Sequence, residues 1–488
     1  MARLEEKLEA YARSDAYPFH MPGHKRRPGN LPSVLDAAAS YDITEISGFD
    51  NLHDPHGILL EEMERIARLY GTRETYLSVN GSTGAILAAV SAAVPKGGTL
   101  LMERGCHISV YHAACLRDLK LKFLENTDPA AEGSGDFDAL IITSPSYEGE
   151  VKDVRYLADA AHEKGALLIV DEAHGAHFSF HPAFPVSAVK QGADLVVQSL
   201  HKTLPALTQT ALLHNVSGRV DGAGIQRFLS IYETSSPSYL LMASAMRCIH
   251  GIEDEGAGYF DAYVRRLFAL REELSRKLCH LRLVGGLCGR GPEGEEREKP
   301  PLMDPGKLLI RVPRPWTGPF LMDGLRDRYH LEAEMSGPDY CLLMTSAADT
   351  DEGFDRLKKA LFEIDAGMEG EAGEKAPPAP DLPLPETAIP LGSACDEETE
   401  TISLEEAEGR ISGEYIVVYP PDSPLIIPGE VFSREMIRRI RSLSASGMNV
   451  TGIQTDGGTG ILVKVTVGTV PPGAASDGAE KIPFSLKT

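Results

Sequence analysis

Between about Thr72 and His214 the chain alternates two patterns. Short runs are dominated by apolar side chains: "TYLSVN", "TLLMER", "ALIITSP", "ALLIVDEAH", "ADLVVQSLH" and "TALLH". Between them lie stretches with helical spacing, such as "GAILAAVSAAVP" and "VRYLADAAHEKG". A strand that is apolar along its whole length is buried on both faces, which points to a parallel sheet with helices packed above and below. The pattern therefore predicts an α/β domain built on a mainly parallel sheet. It also predicts where chemistry sits, because ligands of such sheets bind outside the carboxyl ends of the strands. His24, Ser82, His107, Ser146, Asp171 and Lys202 fall at or near those ends or in loops.

Beyond about Gly251 the pattern changes. Helical "YVRRLFALREELSRKL" mixes with strand-like "KLLIRVP" and "YCLLMTS", which predicts a smaller α+β domain interrupted by an exposed loop, "GRGPEGEEREKPP". Next, "EGEAGEKAPPAPDLPLPETAIP" reads as a Pro-rich acidic linker. The remaining residues carry "GRISGEYIVVYPPDSPLIIPGE" and a helix at "SREMIRRIRSLSASG", a small C-terminal module. The expected divisions are an N-terminal segment 1–60, a large domain 61–245, a small domain 246–370, a linker 371–392 and a C-terminal domain 393–488.

Composition narrows the function. With 42% hydrophobic and 24% charged residues over 488 positions, the chain can bury an ordinary globular core. Lys and Arg number 48 against 71 Asp and Glu, a net charge of −23, which repels phosphate backbones and argues against nucleic acid as a partner. The same charge suits a cationic substrate. Seven cysteines without a C-x-x-C motif read as reduced thiols, and with no signal-peptide core this predicts a cytoplasmic protein. No apolar run approaches the ~18 residues a membrane helix needs, so no membrane partner is expected.

The stretch "LLIVDEAHGAHFSF" (Leu167 to Phe180) admits three readings. A helicase box would need a G-x-x-x-x-G-K-[ST] phosphate loop; the nearest fragment, "DPGKLL", lacks the first glycine and the hydroxyl residue. A metal site from Asp171, His174 and His177 lacks an H-E-x-x-H pattern; His177 and His181 read as loop histidines, and no metal is expected. In the third reading Asp171 is a lone carboxylate at a strand end, aimed at an organic cofactor. Two other stretches favour it. Gly81-Ser82-Thr83-Gly84 opens a helix after a strand and offers N–H groups and hydroxyls to one phosphate. Lys202 follows another apolar strand beside Ser199, His201 and Thr203, where a lysine can act as an imine-forming nucleophile. A phosphate cup, a carboxylate about ninety residues on and a lysine about thirty further are the parts pyridoxal phosphate requires. His107, in "ERGCHISVYHA", is placed to stack on a ring.

The order of motifs resembles the fold-type I, pyridoxal-phosphate-dependent ornithine/lysine/arginine decarboxylases. The resemblance runs from "FHMPGHK" through "DITEISGFDNLHDPHG", "VNGSTGAI", "CHISV", "TSPSYEG", "VDEAHGAH", "QSLHKTL" and "SSPSY" to "GRISGE", "YPP" and "PGE". It implies a fold-type I transferase-like large domain, a small α+β domain, a C-terminal decarboxylase domain, and a homodimer with active sites at the subunit interface. It implies Lys202 as the Schiff-base lysine, Asp171 as partner of the pyridine nitrogen and His107 as the stacking histidine. Gly81, Ser82, Thr83, Ser199 and His201 would then hold the phosphate, and His174 the ring oxygen or substrate. Ser235 and Ser236, in "TSSPSY", would reach the neighbouring subunit's cofactor. The chain looks like the short form that lacks the N-terminal wing domain. Where the family has "RNCHKS" and "YPPGIP", this chain has Gly105, Ile108, Asp422 and Ser423. The expected activity is decarboxylation of a small basic amino acid, arginine first, in polyamine metabolism. The distal cation needs a carboxylate, for which Glu414, Asp422 and Glu430 are candidates. An aminotransferase or aldolase on the same fold, or a silent cofactor-binding partner, are the rival readings.

Overall fold

The computed structural model describes residues 3–14, 33–124, 136–256, 258–285, 302–368, 383–419, 422–445, 447–455 and 460–468. "FHMPGHK" with His24, the "GRGPEGEEREKPP" loop, residues 369–382 of the Pro-rich stretch and Pro420–Pro421 lie outside them. The chain divides into two compact units, Met1–Pro378 and Ala379–Thr488.

The first unit is built on a seven-stranded sheet: β1 (Glu74–Ser78), β2 (Thr99–Met102), β3 (Lys120–Phe123), β4 (Ala139–Thr143), β5 (Leu167–Asp171), β6 (Leu195–Ser199) and β7 (Ala211–Asn215), in the order β1-β7-β6-β5-β4-β2-β3. The apolar runs are these strands, and β4, β5 and β6 are buried along nearly their whole length. The strands from β3 across to β6 pair in parallel, with helices such as Gly81–Ala93 and Val154–Glu163 forming the crossovers. Strand β7 runs antiparallel to both β6 and β1. Only residues 200–210 join β6 to β7, too short for a parallel crossover, which takes a dozen residues or more. Strand β3 escapes a search for apolar runs because its sequence is "KLKF"; it is an edge strand, and edges are commonly marked with lysine.

A four-stranded antiparallel sheet belongs to the same unit: β8 (Arg282–Leu283), β9 (Lys307–Arg311), β10 (Met335–Gly337) and β11 (Tyr340–Met344), in the order β10-β11-β9-β8. Helices Gly318–Tyr329 and Asp351–Ala366 accompany it. Leu308, Ile310 and Leu343 from these strands join Met246, Ile249, Phe260 and Leu267, from helices Tyr239–Glu255 and Gly258–Lys277, in one apolar core. That core extends to Leu4 and Leu8, which face inward from helix Leu4–Ala12 at the i, i+4 spacing of one helical face.

The second unit contains two three-stranded sheets. One orders β12 (Thr399–Ser403), β17 (Ile461–Thr466) and β16 (Ile453–Thr455); the other orders β14 (Ser423–Ile426), β13 (Ile416–Tyr419) and β15 (Asn449–Thr451). Helix Arg434–Ala445 buries Met436, Ile437 and Ile440 in a core with Ile416, Ile426, Phe432 and Val463. Among the described residues no helix is long and apolar enough to cross a membrane.

The N-terminal helix is fixed by charge as well as packing. The fully buried His250 ring lies 2.8 Å from Glu5 and 2.8 Å from Glu62. Burial works against its charge, but the two carboxylates prevail and raise it from 6.5 to about 9. The contribution to stability is therefore complete below about pH 6.5 and is lost as pH rises through about 9. Thermal melts of His250→Gln should start roughly 2 kcal/mol lower at pH 6 and lack the alkaline decline of the wild type. Parallel pH profiles for the two proteins would refute the assignment.

Candidate active site

The candidate site is built from consecutive strand ends. Asp171 closes β5 and lies opposite Thr143 of β4 and Val197 of β6. Ser199 closes β6, and a four-residue helix, Leu200–Thr203, immediately lifts Lys202 off the sheet. His174, three residues beyond Asp171 in a fully buried turn, lies with Nε2 3.1 Å from Lys202 Nζ. On its other side, His174 Nδ1 is 2.7 Å from Lys307 Nζ at the start of β9. Lys307 also donates to the Tyr147 carbonyl at 3.0 Å. The Tyr147 ring meets His174 edge to face, with centroids 4.8 Å apart, and its hydroxyl donates to Glu334.

Burial sets the charges. It pushes His174 well below its usual range, and the nearby Lys307, Lys202, His107 and His201 act in the same direction, so the imidazole is neutral. Burial also lowers Lys307 to about 8, opposed by the negative charges of Asp304 and Glu334. The Cys106 thiol is raised by burial, with Glu103 and Asp171 adding to the effect; Asp171 thus lies within electrostatic reach of the loop that carries His107. Asp171 accepts from the Ala173 N–H at 3.1 Å. His107 caps helix Ile108–Leu116, its Nδ1 accepting from the Ser109 N–H at 3.2 Å.

The cup after β1 has the form an anion needs. Gly81 takes φ +69 with open space where a Cβ would stand, and it begins a thirteen-residue helix. The Asn80 side chain does not cap that helix; it donates to the Tyr232 carbonyl at 3.0 Å, so the first-turn N–H groups near Ser82 and Thr83 remain for a ligand. Ser82 is half-buried and Thr83 exposed. Two further hydroxyls, Ser199 Oγ and Thr203 Oγ1, are buried without a hydrogen-bond partner among the described residues. Native interiors rarely leave such groups unpaired, because each costs about 1–3 kcal/mol. A phosphorylated cofactor with an aldehyde and a ring nitrogen fits this set of residues. His201 donates from Nδ1 to the Thr210 carbonyl at 3.0 Å, which fixes its tautomer.

His174, His177 and His181 have separate partners. His174 faces the two lysines, His177 lies 3.3 Å from Asp304, and His181 lies 3.3 Å from Asp261. Glu172, adjacent to Asp171, accepts from Ser187 Oγ, the Ala188 N–H and Gln198 Nε2 at 2.6–2.7 Å, and burial lifts it to about 7. Ser235 and Ser236 are exposed on this chain. The three C-terminal carboxylates belong to the second unit. Glu414 pairs with Lys464 at 2.6 Å, Glu430 is fully buried and accepts from the Ile427 N–H at 2.9 Å, and Asp422 sits at φ +63 before β14.

Lys307 and Tyr147 are the residues that sequence reasoning missed. "DPGKLLIRVP" reads as a failed phosphate loop and a strand, and the lysine directly preceding its apolar run is a faint signal. "SPSYEG" now has a physical reason for its glycine. At Gly149, φ is +104 and a Cβ would come within 2.8 Å of Lys307 Cγ, so glycine lets this loop close over the lysine.

The sheet order, the strand-end lysine and carboxylate, and the phosphate cup together define a fold-type I architecture. The constitutive lysine decarboxylase of Escherichia coli superposes over 95% of this chain and 81% of its own length, with TM-score 0.78 and 20% identity. A Bacillus subtilis ureidoglycine-glyoxylate aminotransferase covers 65% of the chain at TM-score 0.51 and 14% identity. The family profile "Orn/Lys/Arg decarboxylase, major domain" matches residues 3–136 and 126–284, and the corresponding "C-terminal domain" profile matches 385–463. Arginine decarboxylase of Halalkalibacterium halodurans is 30% identical over 92% of this chain and 94% of its own, and that of Bacillus subtilis 31% over 91% and 94%. The Escherichia coli constitutive lysine decarboxylase is 24% identical over 92% of this chain and 78% of its own. This chain belongs to the ornithine/lysine/arginine decarboxylase family.

Gly149→Ala should destabilise the unit by roughly 2 kcal/mol, combining strain at positive φ with the clash against Lys307. A thermal melt measures this, and an unchanged midpoint would show that the loop yields.

Proposed function

We propose that this chain removes the α-carboxylate of a basic amino acid, arginine before lysine, with pyridoxal phosphate held covalently by Lys202. The observation that carries this is the Lys202 amine beside a neutral, buried His174, just beyond the strand that pairs with the strand of Asp171. The relatives named arginine decarboxylase, at about 30% identity over nearly the whole chain, support arginine; lysine, named in more distant relatives, is second. The cofactor, when bound, supplies the electron sink for the pair released as the carbon–carbon bond breaks.

The chain's own residues do the rest. Ser82, Thr83, Ser199, His201 and Thr203 bind the phosphate, with Gly81 giving the backbone room to approach. Asp171 holds a proton on the ring nitrogen by charge. His107 covers one ring face, and His174 offers a polar contact beside Lys202. The exposed Ser235 and Ser236 suit a second copy of this chain, whose site they would complete in a homodimer. For the distal cation the candidates are the carboxylates Glu414, Asp422 and Glu430. With arginine as substrate the product is a guanidino-amine, and we assign the reaction to cytoplasmic polyamine metabolism.

Carbon dioxide release from arginine, lysine and ornithine tests the proposal. Arginine should be preferred on the order of tenfold or more in kcat/KM, a difference of about 1.4 kcal/mol. Keto-acid formation without carbon dioxide would turn the reading to an aminotransferase. Borohydride should fix the cofactor on Lys202; a label on Lys307, the other lysine at His174, would overturn the site.

The unpaired hydroxyls give an independent test. Ser199→Ala and Thr203→Val should leave the cofactor-free melting midpoint unchanged or higher, since each removes a buried unsatisfied group. The dissociation constant for pyridoxal phosphate, read by absorbance titration, should rise on the order of tenfold. Destabilised cofactor-free protein with unchanged affinity would remove both residues from the phosphate site.

A further inference from the structure

Two lysines share one imidazole in the interior of the first unit. A neutral imidazole has one N–H and one lone pair, while an ammonium has donors only. Lys202 and Lys307 stand at opposite nitrogens of His174, 3.1 and 2.7 Å away. Both cannot donate to the ring, so its single proton must choose a side. We propose that Lys307 is a positioning residue: it holds the His174 proton on Nε2, so that His174 presents a hydrogen-bond donor to the nitrogen of Lys202. This rests on the reading of Lys202 as the cofactor lysine.

The surroundings of Lys307 decide which lysine keeps its charge. Asp304 precedes it in the turn into β9, and the negative charges of Glu334, before β10, and Glu148, after β4, favour its ammonium. Its second donor is used by the Tyr147 carbonyl. Two other groups act through these neighbours: His177 lies 3.3 Å from Asp304, and the Tyr340 hydroxyl donates to Glu148 at 3.2 Å. Arg271 does not meet the ammonium; it donates to the Lys307 carbonyl at 3.2 Å. A positive charge on Lys202 opposes that of Lys307. A charged Lys307 requires a lone pair on His174 Nδ1, and the N–H therefore points to Lys202. An ammonium at Lys202 would meet that N–H, whereas the uncharged amine accepts from it. The uncharged amine is the form that joins an aldehyde: its lone pair bonds to the carbonyl carbon, and the two amine protons leave with the oxygen as water.

The test begins on cofactor-free protein carrying 15N-histidine. Two-bond 1H–15N correlations report the tautomer of each ring, and His174→Gln assigns the signal. In the wild type His174 should be the Nε2–H form at pH 7, and Lys307→Met should convert it to a mixture or to Nδ1–H. Uptake of pyridoxal phosphate, followed by visible absorbance, should slow on the order of tenfold in Lys307→Met. Because burial lowers Lys307 to about 8, the wild-type rate should fall toward that of the variant above this pH, and the variant should lack that limb. A wild-type Nδ1–H ring, which needs no folded Lys307 variant to detect, overturns the proposal. So does a well-folded Lys307→Met protein with the wild-type uptake profile. Failure of the Lys202 assignment shows itself separately, as a borohydride label elsewhere with the tautomer unaffected.

Discussion

One imidazole between two amines is the constraint around which the first unit is arranged. His174 comes from the turn after β5, Lys202 from the short helix after β6, Tyr147 from the loop after β4, and Lys307 from the four-stranded sheet. His174 and Lys307 are almost completely buried, so each needs the partners that the others provide. The contact therefore pins the start of β9 to the strand ends of the larger sheet. Arg271 strengthens that joint from the outer side. Its guanidinium donates to the carbonyls of Pro305, Lys307, Val284 and Gly285 at 2.7–3.2 Å, tying the β8 end to the turn that delivers Lys307. A planar fork with five donors is well suited to such a cluster of acceptors.

What could be read from the sequence follows from the range of the interactions involved. The strands β4, β5 and β6 announced themselves because burial on both faces leaves a local record, an unbroken apolar run. Asp171 and Lys202 were legible because a polar residue at the end of such a run stands out from it. The reversed direction of β7 was not read, since it depends on the length of one connection and not on the strand's own residues. Lys307 was harder still. A lysine is by default solvated, and this one is buried only because Gly149, far away in sequence, permits the loop to cover it and His174 offers it an acceptor. Those are tertiary conditions, and no spacing within "DPGKLL" reports them. The same limit applies to Glu414 and Glu430, whose partners Lys464 and Ile427 appear only once the second unit has folded.

The stretch that spelled a helicase box and suggested a metal site is better explained by where consecutive side chains point. Neighbours along an extended backbone take opposite sides. Asp171 and Glu172 are adjacent carboxylates, and Asp171 is in electrostatic reach of the His107 loop. Glu172 turns instead into a buried chain of hydrogen bonds: Gln198 donates to it at 2.6 Å and meets His214 at 3.2 Å, and His214 meets Thr75 at 2.8 Å. Burial lifts Glu172 to about 7 and drops His214 to about 3, so below neutrality neither group carries a full charge over most of the range. That chain of hydrogen bonds is thereby kept uncharged. Around the buried Lys307, little solvent is left to screen the charges of Asp304 and Glu334. The acidic pair in "VDEAH" is thus divided between two jobs, one carboxylate left for the site and the other, its proton held by burial, spent on the core.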